Sequence, residues 1–468
     1  MLENVVPRCG GIRLPPDSDI LFAMTALSFL DELAWRGLLY QYTEGVQAML
    51  ASGPITAYCG FDPTARSLHL GHLVPVMGLA HLQRAGHRPI ALVGGGTGMI
   101  GDPSGKAAER TLNSLEVVEE NARGIKHQLE RFLDFSGPRG AVMRNNADWL
   151  MTLGAVEFMR DVGKHFTVNY MMAKDSVKSR LETGISYTEF SYMLLQAYDF
   201  LELHRRDGAR MQIGGSDQWG NITAGTELIR RATGADAHAV TVPLVTTAAG
   251  TKFGKTEAGA VWLDPQLTSP YKFYQFWINS DDRDAGKYLR YFTLLPREEI
   301  EALEREVTER PEARAAQRAV ATEVTTRVHG ADAARVAADA SQLVFDRSAD
   351  PRQYTTAVLD ALMVELPSAR VDLKGGGEGR AATATGADGS TTTLSVKSGG
   401  VDVLDAFVVT GLAKSKGEAR RLLQQGGLYA NGEKLGADGG ALTPSSAIHG
   451  AYYVLRKGGR EIAIVRLG

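Results

Sequence analysis

Apolar positions follow two different periods along the chain, which predicts a mixture of amphipathic helices and buried strands. Residues 27–50 and 70–84 carry apolar side chains at helical spacing, whereas the short apolar runs 55–61 and 89–93 are typical of buried strands. Strand, helix and strand in close succession form a βαβ unit. Further alternation up to Trp262 predicts an open α/β sheet with its ligand site at the carboxyl ends of the strands.

The pattern changes after the predicted sheet. From Tyr271 to about Leu362 the chain is rich in Ala, Glu and Arg at helical spacing, and residues 374–400 are mostly Gly, Ala, Ser and Thr. The sequence therefore predicts a disordered N-terminal extension (1–26), a parallel-sheet domain (27–263), a helical domain (264–373), a flexible linker (374–400) and a small C-terminal domain (401–468).

The composition is that of a globular protein, with 44% apolar and 22% charged residues among 468. These values exclude a wholly disordered, collagen-like or coiled-coil chain. No apolar run approaches the roughly 18 residues of a membrane-spanning helix, so no membrane association is expected. Two cysteines, Cys9 and Cys59, are too few for a disulfide framework or a cysteine-based zinc site, which favours a reducing, cytoplasmic location and no protein-bound zinc.

The charge is distributed unevenly. A net charge of −3 gives no global sign of a nucleic-acid partner. Residues 401–468, however, carry nine Lys plus Arg against six Asp plus Glu. A basic C-terminal module therefore follows an acidic remainder.

The most distinctive motif, 61–72, lies where the first predicted strand gives way to a helix. His69 and His72 are three residues apart and share one helical face, and Gly71 allows a ligand to approach the backbone. Such a pair at a helix N-terminus can donate hydrogen bonds to phosphate oxygens. Taken alone, the motif also fits two structural histidines or a metal pair, although no nearby Cys or carboxylate completes a ligand set. Its place at the end of a strand favours phosphate.

A second candidate is Lys252-Phe-Gly-Lys-Thr256, with Gly250 and Gly259 on either side. Two lysines and a hydroxyl on a Gly-rich segment can form a mobile loop that closes over a polyphosphate and stabilises developing charge. A loop of this kind is more often ordinary surface, so its interpretation depends on the other motifs.

Two other glycine-rich patterns are rejected. Residues 96–101 match G-x-G-x-x-G, but Asp102-Pro103 follows at once and would interrupt the helix that a dinucleotide pyrophosphate requires. Residues 101–106 approach a Walker A loop, but they have one residue too few between the glycines, and Ala107 replaces the required Ser or Thr. Neither an NAD site nor a P-loop is expected.

Together these motifs resemble the bacterial tyrosyl-tRNA synthetases, a family of class I aminoacyl-tRNA synthetases. His69-Leu-Gly-His72 resembles the first signature of the class, and Lys252-Phe-Gly-Lys-Thr256 resembles the family's variant of the second. Four more segments are similar to the family pattern in the right order: 58–64, 101–105, 192–199 and 212–219. The resemblance runs from about Leu27 to Leu467, and the N-terminal extension and the Gly- and Thr-rich linker depart from it.

The resemblance implies an α/β fold: a Rossmann-like parallel-sheet catalytic domain, a helical domain on the anticodon side, and a small α+β S4-like RNA-binding domain. It implies a tyrosine–tRNA ligase that activates L-tyrosine with ATP, accompanied by Mg²⁺, to tyrosyl-AMP and pyrophosphate. The tyrosyl group then passes to the terminal ribose of tRNA(Tyr), and a homodimer is expected. The amino-acid carboxylate is ionised at pH 7, so the first step needs positioned substrates and donors to the pyrophosphate, and no protein nucleophile.

The resemblance also assigns roles to individual residues. The catalytic donors to the pyrophosphate are Thr64, His69, His72, Lys252, Lys255 and Thr256. Further ATP contacts come from Gly60, Asp62, Gly71, Lys106, Arg110, Gly215 and Asp217. Tyr58 and Asp199 bind the substrate phenol, Asp102, Tyr192 and Gln196 bind its ammonium group, and Gln212 and Gln218 complete the tyrosine site. Residues 192, 196 and 199 share one face of a predicted helix.

The C-terminal segments 415–423 and 427–434 resemble an S4-type RNA-binding module. Lys416, Arg420 and Arg421 lie on its predicted helix and form a basic face that suits RNA phosphates. Without the family, the same residues fit an ordinary solvated face equally well.

Two rival functions stay open at this point. Tryptophanyl-tRNA synthetases share the fold, but Tyr58 with Asp199 favours a phenol over an indole. A non-catalytic RNA-binding protein on a synthetase scaffold would be expected to lack signature residues, whereas all of those compared here are present.

Overall fold

The computed structural model describes residues 28–104, 114–178, 180, 184–256, 259–373, 381–386 and 389–468. The predicted N-terminal extension (1–26) lies outside these ranges. The described residues form two compact units, the first from 28–66 and 74–244 and the second from 67–73 and 245–468. Across the described ranges, no helix has both the length and the apolar character needed to cross a membrane.

The first unit is built on a largely parallel sheet. Its described strands are β1 (Gln41–Tyr42), β2 (Thr56–Phe61), β3 (Arg88–Val93), β4 (Val142–Asn145), β5 (Ala209–Gly215) and β6 (His238–Val242). They lie in the order β1-β6-β5-β2-β3-β4, and all neighbours pair in parallel except β1, which runs antiparallel to β6. The chain moves outward from β2 in both directions, which opens a ligand crevice at the carboxyl ends of β2 and β5. The predicted α/β fold is confirmed.

The helices of this part are α1 (Phe29–Arg36), α2 (Val46–Ala51), α3 (Leu73–Arg84), α4 (Leu115–Leu129), α5 (Ala147–Leu150), α6 (Ala155–Asp161), α7 (Val168–Met172), α8 (Asp175–Lys178), α9 (Tyr187–Asp207) and α10 (Trp219–Thr233). Helix α9 begins where the Ser186 hydroxyl accepts the Glu189 N–H, and it ends at Gly208 with a φ of 68°. Both ends of the helix that carries Tyr192 and Asp199 are therefore defined by local sequence.

The single helix predicted over 27–50 is wrong, because α1, β1 and α2 share this stretch. Helix α1 ends at Gly37 with a φ of 75°, and α2 begins after Gly45 with a φ of 84°. Glycine adopts this left-handed conformation at little cost, so the chain turns at both positions. Apolar spacing alone does not detect such breaks.

The second unit contains two short antiparallel strands, β7 (Lys255–Thr256) and β8 (Gly259–Ala260), which precede the predicted helical region. Its helices are α11 (Pro270–Ile278), α12 (Asp282–Phe292), α13 (Arg297–Glu309), α14 (Ala315–His329), α15 (Ala331–Phe345) and α16 (Thr356–Glu365). The Glu365 carboxylate accepts the Ser269 hydroxyl at 2.5 Å and the Lys272 ammonium at 3.0 Å. These bonds connect the first turn of α11 to the end of α16.

A mixed sheet completes the second unit. Its described strands are β9 (Ser368–Asp372), β10 (Ala381–Gly386), β11 (Thr391–Lys397), β12 (Gly400–Asp402), β13 (Leu428–Ala430), β14 (Glu433–Lys434), β15 (Ala441–Leu442), β16 (Tyr452–Lys457) and β17 (Glu461–Leu467), in the order β14-β13-β16-β17-β9-β10-β11-β12-β15. Helices α17 (Val403–Val409) and α18 (Lys416–Gln424) contribute Phe407 and Leu423 to the same hydrophobic core as Leu394 and Val465.

The flexible linker predicted over 374–400 is wrong for its described part. Strands β10 and β11 pair with each other and continue the sheet between β9 and β12. Ala384 and Leu394 are buried in the core, whereas Thr383 and Thr393 are exposed. Alternating alanine and threonine gives little hydrophobic contrast, so composition conceals a period of two that suits a half-buried strand. The boundary predicted at residue 401 therefore lies within the sheet, because β12 (Gly400–Asp402) pairs with β11.

Replacing Leu394 by alanine is expected to lower the free energy of unfolding by about 2–5 kcal/mol, because truncating a buried side chain leaves a cavity. Thr393→Ala, its exposed neighbour on the same strand, should change that free energy by less than about 1 kcal/mol. Urea denaturation followed by circular dichroism measures both variants. Equal and negligible effects would show that this segment is not packed against the rest of the sheet.

Candidate active site

A glycine turn after β3 approaches the Asp62 carboxylate, which follows β2. A Cβ atom on Gly94 would lie 2.0 Å from Asp62 Oδ1, so a larger residue there would displace the carboxylate. Asp62 accepts hydrogen bonds from the Thr97 and Tyr192 hydroxyls, each at 2.7 Å. The ends of two neighbouring strands and helix α9 thus meet at one carboxylate.

Hydrogen bonds continue from this carboxylate into the protein. Asn146 Nδ2 donates to Thr97 Oγ1 and to Asp199 Oδ2, both at 2.8 Å. The Trp149 indole N–H donates to Asp199 Oδ1 at 2.7 Å. Asp62, Thr97, Asn146, Trp149 and Asp199 are referred to below as the buried network. Within it, both carboxylate oxygens of Asp199 accept from neutral donors.

Asp199 has an unusual acidity. It is only 2% exposed, and burial raises its pKa from 3.8 to about 8, although the hydrogen bonds from Asn146 and Trp149 act in the opposite direction. The negative charge of Asp62 adds to the upward shift. Neutral donors do not replace the hydration that a carboxylate loses on burial. Asp199 therefore binds a proton more readily than an exposed carboxylate does, and it is suited to accept a hydrogen bond from a ligand hydroxyl.

Two buried polar atoms lie at the same level of the sheet beside this group. Tyr58 on β2 and Gln212 on β5 are register partners, and they are 1% and 3% exposed. Among the described residues, neither Tyr58 Oη nor Gln212 Oε1 has a hydrogen-bond partner. Burial and the nearby charge of Asp199 raise the pKa of Tyr58. Buried polar atoms without partners cost about 1–3 kcal/mol each, so this pair indicates a place for a polar ligand.

A second polar cluster surrounds Asp102. Gln218 Nε2 donates to Asp102 Oδ2 at 2.6 Å, and Asn221 Nδ2 lies 3.4 Å from Asp102 Oδ1. The Ser104 N–H also donates to Asp102 Oδ1, at 3.0 Å. Burial raises the pKa of Tyr192, and the negative charges of Asp62, Asp102 and Asp199 raise it further. All three carboxylates therefore lie near the Tyr192 hydroxyl. Such a group of carboxylates is suited to a ligand ammonium.

The remaining predicted residues of the first unit have simpler surroundings. Gln196 is half-buried on α9 between Tyr192 and Asp199, Gly60 lies on β2, and the N–H of the exposed Thr64 donates to the Asp62 carbonyl at 2.8 Å. A Cβ atom on Gly215, at the end of β5, would lie 2.5 Å from Asp217 Oδ1. Lys106 and Arg110 lie outside the described residues.

The second unit holds the two histidines. The Gly71 N–H donates to His69 Nδ1 and the His69 N–H donates to His72 Nδ1, each at 3.1 Å, across the 3₁₀ turn Leu70–His72. A ring nitrogen that accepts a hydrogen bond carries no proton, so each ring is neutral and has its hydrogen on Nε2. The rings stack with their centroids 3.9 Å apart. Two neutral N–H donors side by side suit the oxygens of a phosphate.

Lys252–Thr256, referred to below as the lysine loop, is anchored by its aromatic residue. Phe253 is 7% exposed, whereas Lys252, Lys255 and Thr256 are exposed. Its ring packs among four aromatic rings with centroid distances from 4.9 to 5.7 Å, those of Phe276, Trp277, Tyr288 and Phe292. The following segment pairs with the histidine turn, since the Leu70 N–H donates to the Val261 carbonyl at 3.0 Å. The structure thus brings the two predicted signatures together within one unit.

The predicted RNA-binding residues differ in their surroundings. Lys416 makes a 2.6 Å ion pair with Asp405, whose side chain is 6% exposed, and it also lies 3.3 Å from Ser395 Oγ. Arg420 and Arg421 are exposed on α18. Lys416 therefore connects α18 to α17 and β11, and with its side chain 51% exposed it stays a candidate for RNA phosphates together with Arg420 and Arg421.

Sequence reasoning missed the partners of Asp199. Asn146 and Trp149 follow β4, a strand that the sequence analysis did not single out, and Thr97 lies inside the rejected G-x-G-x-x-G pattern. The available signal was positional: polar residues directly after a parallel strand lie at the same edge of the sheet as those after its neighbours.

The stability of the first unit should depend on pH through Asp199. Because its folded pKa is raised from 3.8 to about 8, its stabilising contribution is fully present below about pH 4 and is lost as the pH rises through about 8. The Asp199→Asn side chain does not titrate. The free energy of unfolding of this variant, minus that of the wild type, should therefore rise between about pH 4 and 8 by on the order of a few kcal/mol. Denaturation of both proteins without ligand, from about pH 5 to 9, measures the difference. A difference independent of pH would contradict the assignment.

Family comparisons agree with the motifs. A family model described as "tRNA synthetases class I (W and Y)" matches residues 50–346. A second, described as "Tyrosine--tRNA ligase SYY-like C-terminal domain", matches residues 384–465. The second match begins within β10, so it includes strands that the sequence analysis assigned to a linker.

Individual relatives extend the agreement to nearly the whole chain. The tyrosine–tRNA ligase of Anaeromyxobacter dehalogenans is 52% identical over 94% of this chain and 99% of the relative, and that of Geobacillus stearothermophilus is 51% identical over 94% and 100%. A truncated mitochondrial tyrosyl-tRNA synthetase from Aspergillus nidulans superposes with a TM-score of 0.62 at 30% identity, covering 68% of this chain and 94% of the other. The chain therefore belongs to the tyrosyl-tRNA synthetases of class I, a family of tyrosine–tRNA ligases.

Proposed function

We propose that the first unit selects L-tyrosine by completing hydrogen bonds that the protein alone leaves unmade. The substrate phenol lies between Tyr58 and Asp199, and the ammonium group lies among Asp102, Tyr192 and Gln196. Gln212 and Gln218 complete the tyrosine site. This proposal rests on two buried polar atoms that have no hydrogen-bond partner among the described residues: the Tyr58 hydroxyl and, on the neighbouring strand, the Gln212 side-chain carbonyl. Asp199, whose pKa is raised by burial, lies near Tyr58. A phenol supplies both a donor and an acceptor at this position, which a benzyl group does not.

The activation chemistry needs little from the protein beyond placement. The tyrosine carboxylate attacks the α-phosphorus of MgATP, the bond from that phosphorus to the bridging oxygen breaks, and pyrophosphate leaves with the negative charge. The Nε2–H groups of His69 and His72, together with Lys252, Lys255, Thr256 and Thr64, are proposed to stabilise that charge as it develops. Asp62, Gly60, Gly71, Gly215 and Asp217 are proposed to contact the nucleotide, as are Lys106 and Arg110.

The second step requires RNA, and the chain offers a basic helix for it. Arg420 and Arg421 on α18 are exposed, and the C-terminal region carries the net positive charge. Phosphate contacts from such arginines position an RNA without reading its sequence. We infer that this region binds tRNA(Tyr) while the first unit supplies the aminoacyl group.

A homodimer is also proposed. Around α5, α6 and α7 the first unit exposes several large apolar side chains by 40–75%, namely Met151, Val156, Met159, Val168 and Met172. Exposed apolar patches of this kind mark interaction surfaces, and methionine is enriched at interfaces. A cytoplasmic location stays a prediction that rests on the low cysteine content.

Amino-acid-dependent exchange of labelled pyrophosphate into ATP, run with all twenty amino acids and no tRNA, tests the proposed specificity. Exchange is expected with tyrosine alone, because a phenol can accept a hydrogen bond from Tyr58 and donate one to Asp199, whereas a benzyl group can do neither. Equal exchange with phenylalanine would contradict the hydrogen-bonding argument. A preference for tryptophan would show that the site binds an indole and not a phenol. Folded protein that binds tRNA but gives no exchange would indicate a non-catalytic RNA-binding protein.

His69→Ala and Lys255→Ala should each slow tyrosyl-adenylate formation by about 10²–10³-fold, because each removes a donor to developing charge. The dissociation constant for tyrosine should change by less than about twofold, because neither residue is proposed to contact the phenol or the ammonium group of tyrosine. Exchange kinetics and equilibrium dialysis give the two quantities. Lys397→Ala, an exposed lysine on β11, is the control and should behave as the wild type. Unchanged turnover in both test variants would refute the phosphate assignment.

A further inference from the structure

The base of the lysine loop is held by a buried carboxylate on α12. Asp284 is 3% exposed, and its Oδ2 accepts the Ala248 N–H at 2.8 Å. Its Oδ1 makes a 2.7 Å ion pair with Lys287 Nζ. Tyr288, four residues further along α12, has its ring 5.1 Å from that of Phe253 in the lysine loop. Helix α12 therefore contacts the chain before the loop through Asp284 and the loop itself through Tyr288.

Lys287 supplies a second attachment. Its Nζ donates to the Thr246 carbonyl at 2.8 Å. Thr246 in turn pairs with Lys252 in an antiparallel bridge, and the Phe253 N–H donates to the Val245 carbonyl at 3.3 Å. Residues 245–248 thus form the segment with which the lysine loop pairs. Asp284 and Lys287 attach this segment to helix α12.

These bonds are not explained by the needs of helix α12 itself. The helix is capped by Asp281, whose side chain accepts the Arg283 N–H at 2.9 Å. Asp284 lies in the first turn of the helix and pairs through Oδ1 with Lys287 of the same helix, but its Oδ2 accepts the Ala248 N–H from outside the helix. A buried carboxylate is costly unless it is paired, so a helix that is already capped gains little from one here.

We propose that Asp284 and Lys287 are positioning residues for adenylate formation, which act by holding Lys252 and Lys255 in register. The inference rests on the proposed role of the lysine loop in stabilising pyrophosphate. Small displacements of a charged group cost rate because the transition state is stabilised only at a defined distance. Neither residue is among those proposed to contact tyrosine, so the effect is expected in the rate of the chemical step and not in tyrosine binding.

Asp284→Asn and Lys287→Met test the proposal in the full-length protein. Each is expected to lower kcat for tyrosine-dependent pyrophosphate exchange about tenfold or more, with the KM for tyrosine changed less than about twofold. Arg283→Gln is the matched control, since Arg283 lies in the same helical turn with a side chain 68% exposed, and it should retain the wild-type kcat. If Asp284→Asn does not fold, Lys287→Met decides alone, since the Lys287 side chain is 32% exposed, and circular dichroism first establishes that this variant is folded.

Combining these changes with Lys255→Ala separates positioning from general destabilisation. If the pair acts through the loop, Lys287→Met should slow exchange by about threefold or less in the Lys255→Ala background, where only Lys252 still depends on the register, against about tenfold in the wild type. An equal loss in both backgrounds would overturn the proposal. Wild-type kcat for both anchor variants, with Lys255→Ala slow, would overturn it as well while leaving the function of the loop intact. A fully active Lys255→Ala protein would instead refute the proposed function of the loop.

Discussion

Parallel pairing of β2 with β3 on one side and β5 on the other brings the carboxyl ends of three strands to one edge of the sheet. Asp62, the glycine turn after Val93 and the turn that carries Gln218 all leave the sheet at this edge. The same pairing sets Tyr58 and Gln212 at one level. A shift of β5 by one residue would turn Gln212 to the opposite face, so the proposed recognition of tyrosine depends on a register that backbone hydrogen bonds impose.

The buried network shows how the protein holds a polar site without a ligand. Asp199 is kept in place by the amide of Asn146 and the indole of Trp149, neither of which carries a charge. The folded protein therefore retains part of the cost of desolvating Asp199 and Tyr58. A ligand that bonds to these atoms recovers that free energy on binding, and one that cannot leaves the cost in place. The proposed selectivity therefore depends on polar atoms of the protein that have no hydrogen-bond partner among the described residues.

The sequence predicted those parts of the structure that short-range patterns encode. The strands at 55–61 and 89–93, the helical region and the signature residues His69 and Lys255 are carried by contiguous motifs. The sequence analysis did not predict the contacts of Asn146 and Trp149 with Asp199. These contacts depend on which strands are neighbours in the sheet, and short-range sequence patterns do not contain that information. The β10–β11 hairpin escaped for another reason: Ala384 and Thr383 differ too little in hydropathy to reveal which face is buried. The breaks at Gly37 and Gly45 depend on positive φ angles, which apolar spacing does not report.

The tautomers of His69 and His72 bear on turnover. Each Nδ1 accepts a backbone N–H, so the rings are held neutral by the fold of the turn itself. Neutral donors bind an anion less strongly than imidazolium cations would, because charge-assisted hydrogen bonds are about twice as strong as neutral ones. In the proposed mechanism, pyrophosphate would therefore separate from two neutral donors at the histidine turn, and its electrostatic attraction would come from Lys252 and Lys255, whose side chains are exposed. Weaker binding of the first product at this turn is the expected consequence.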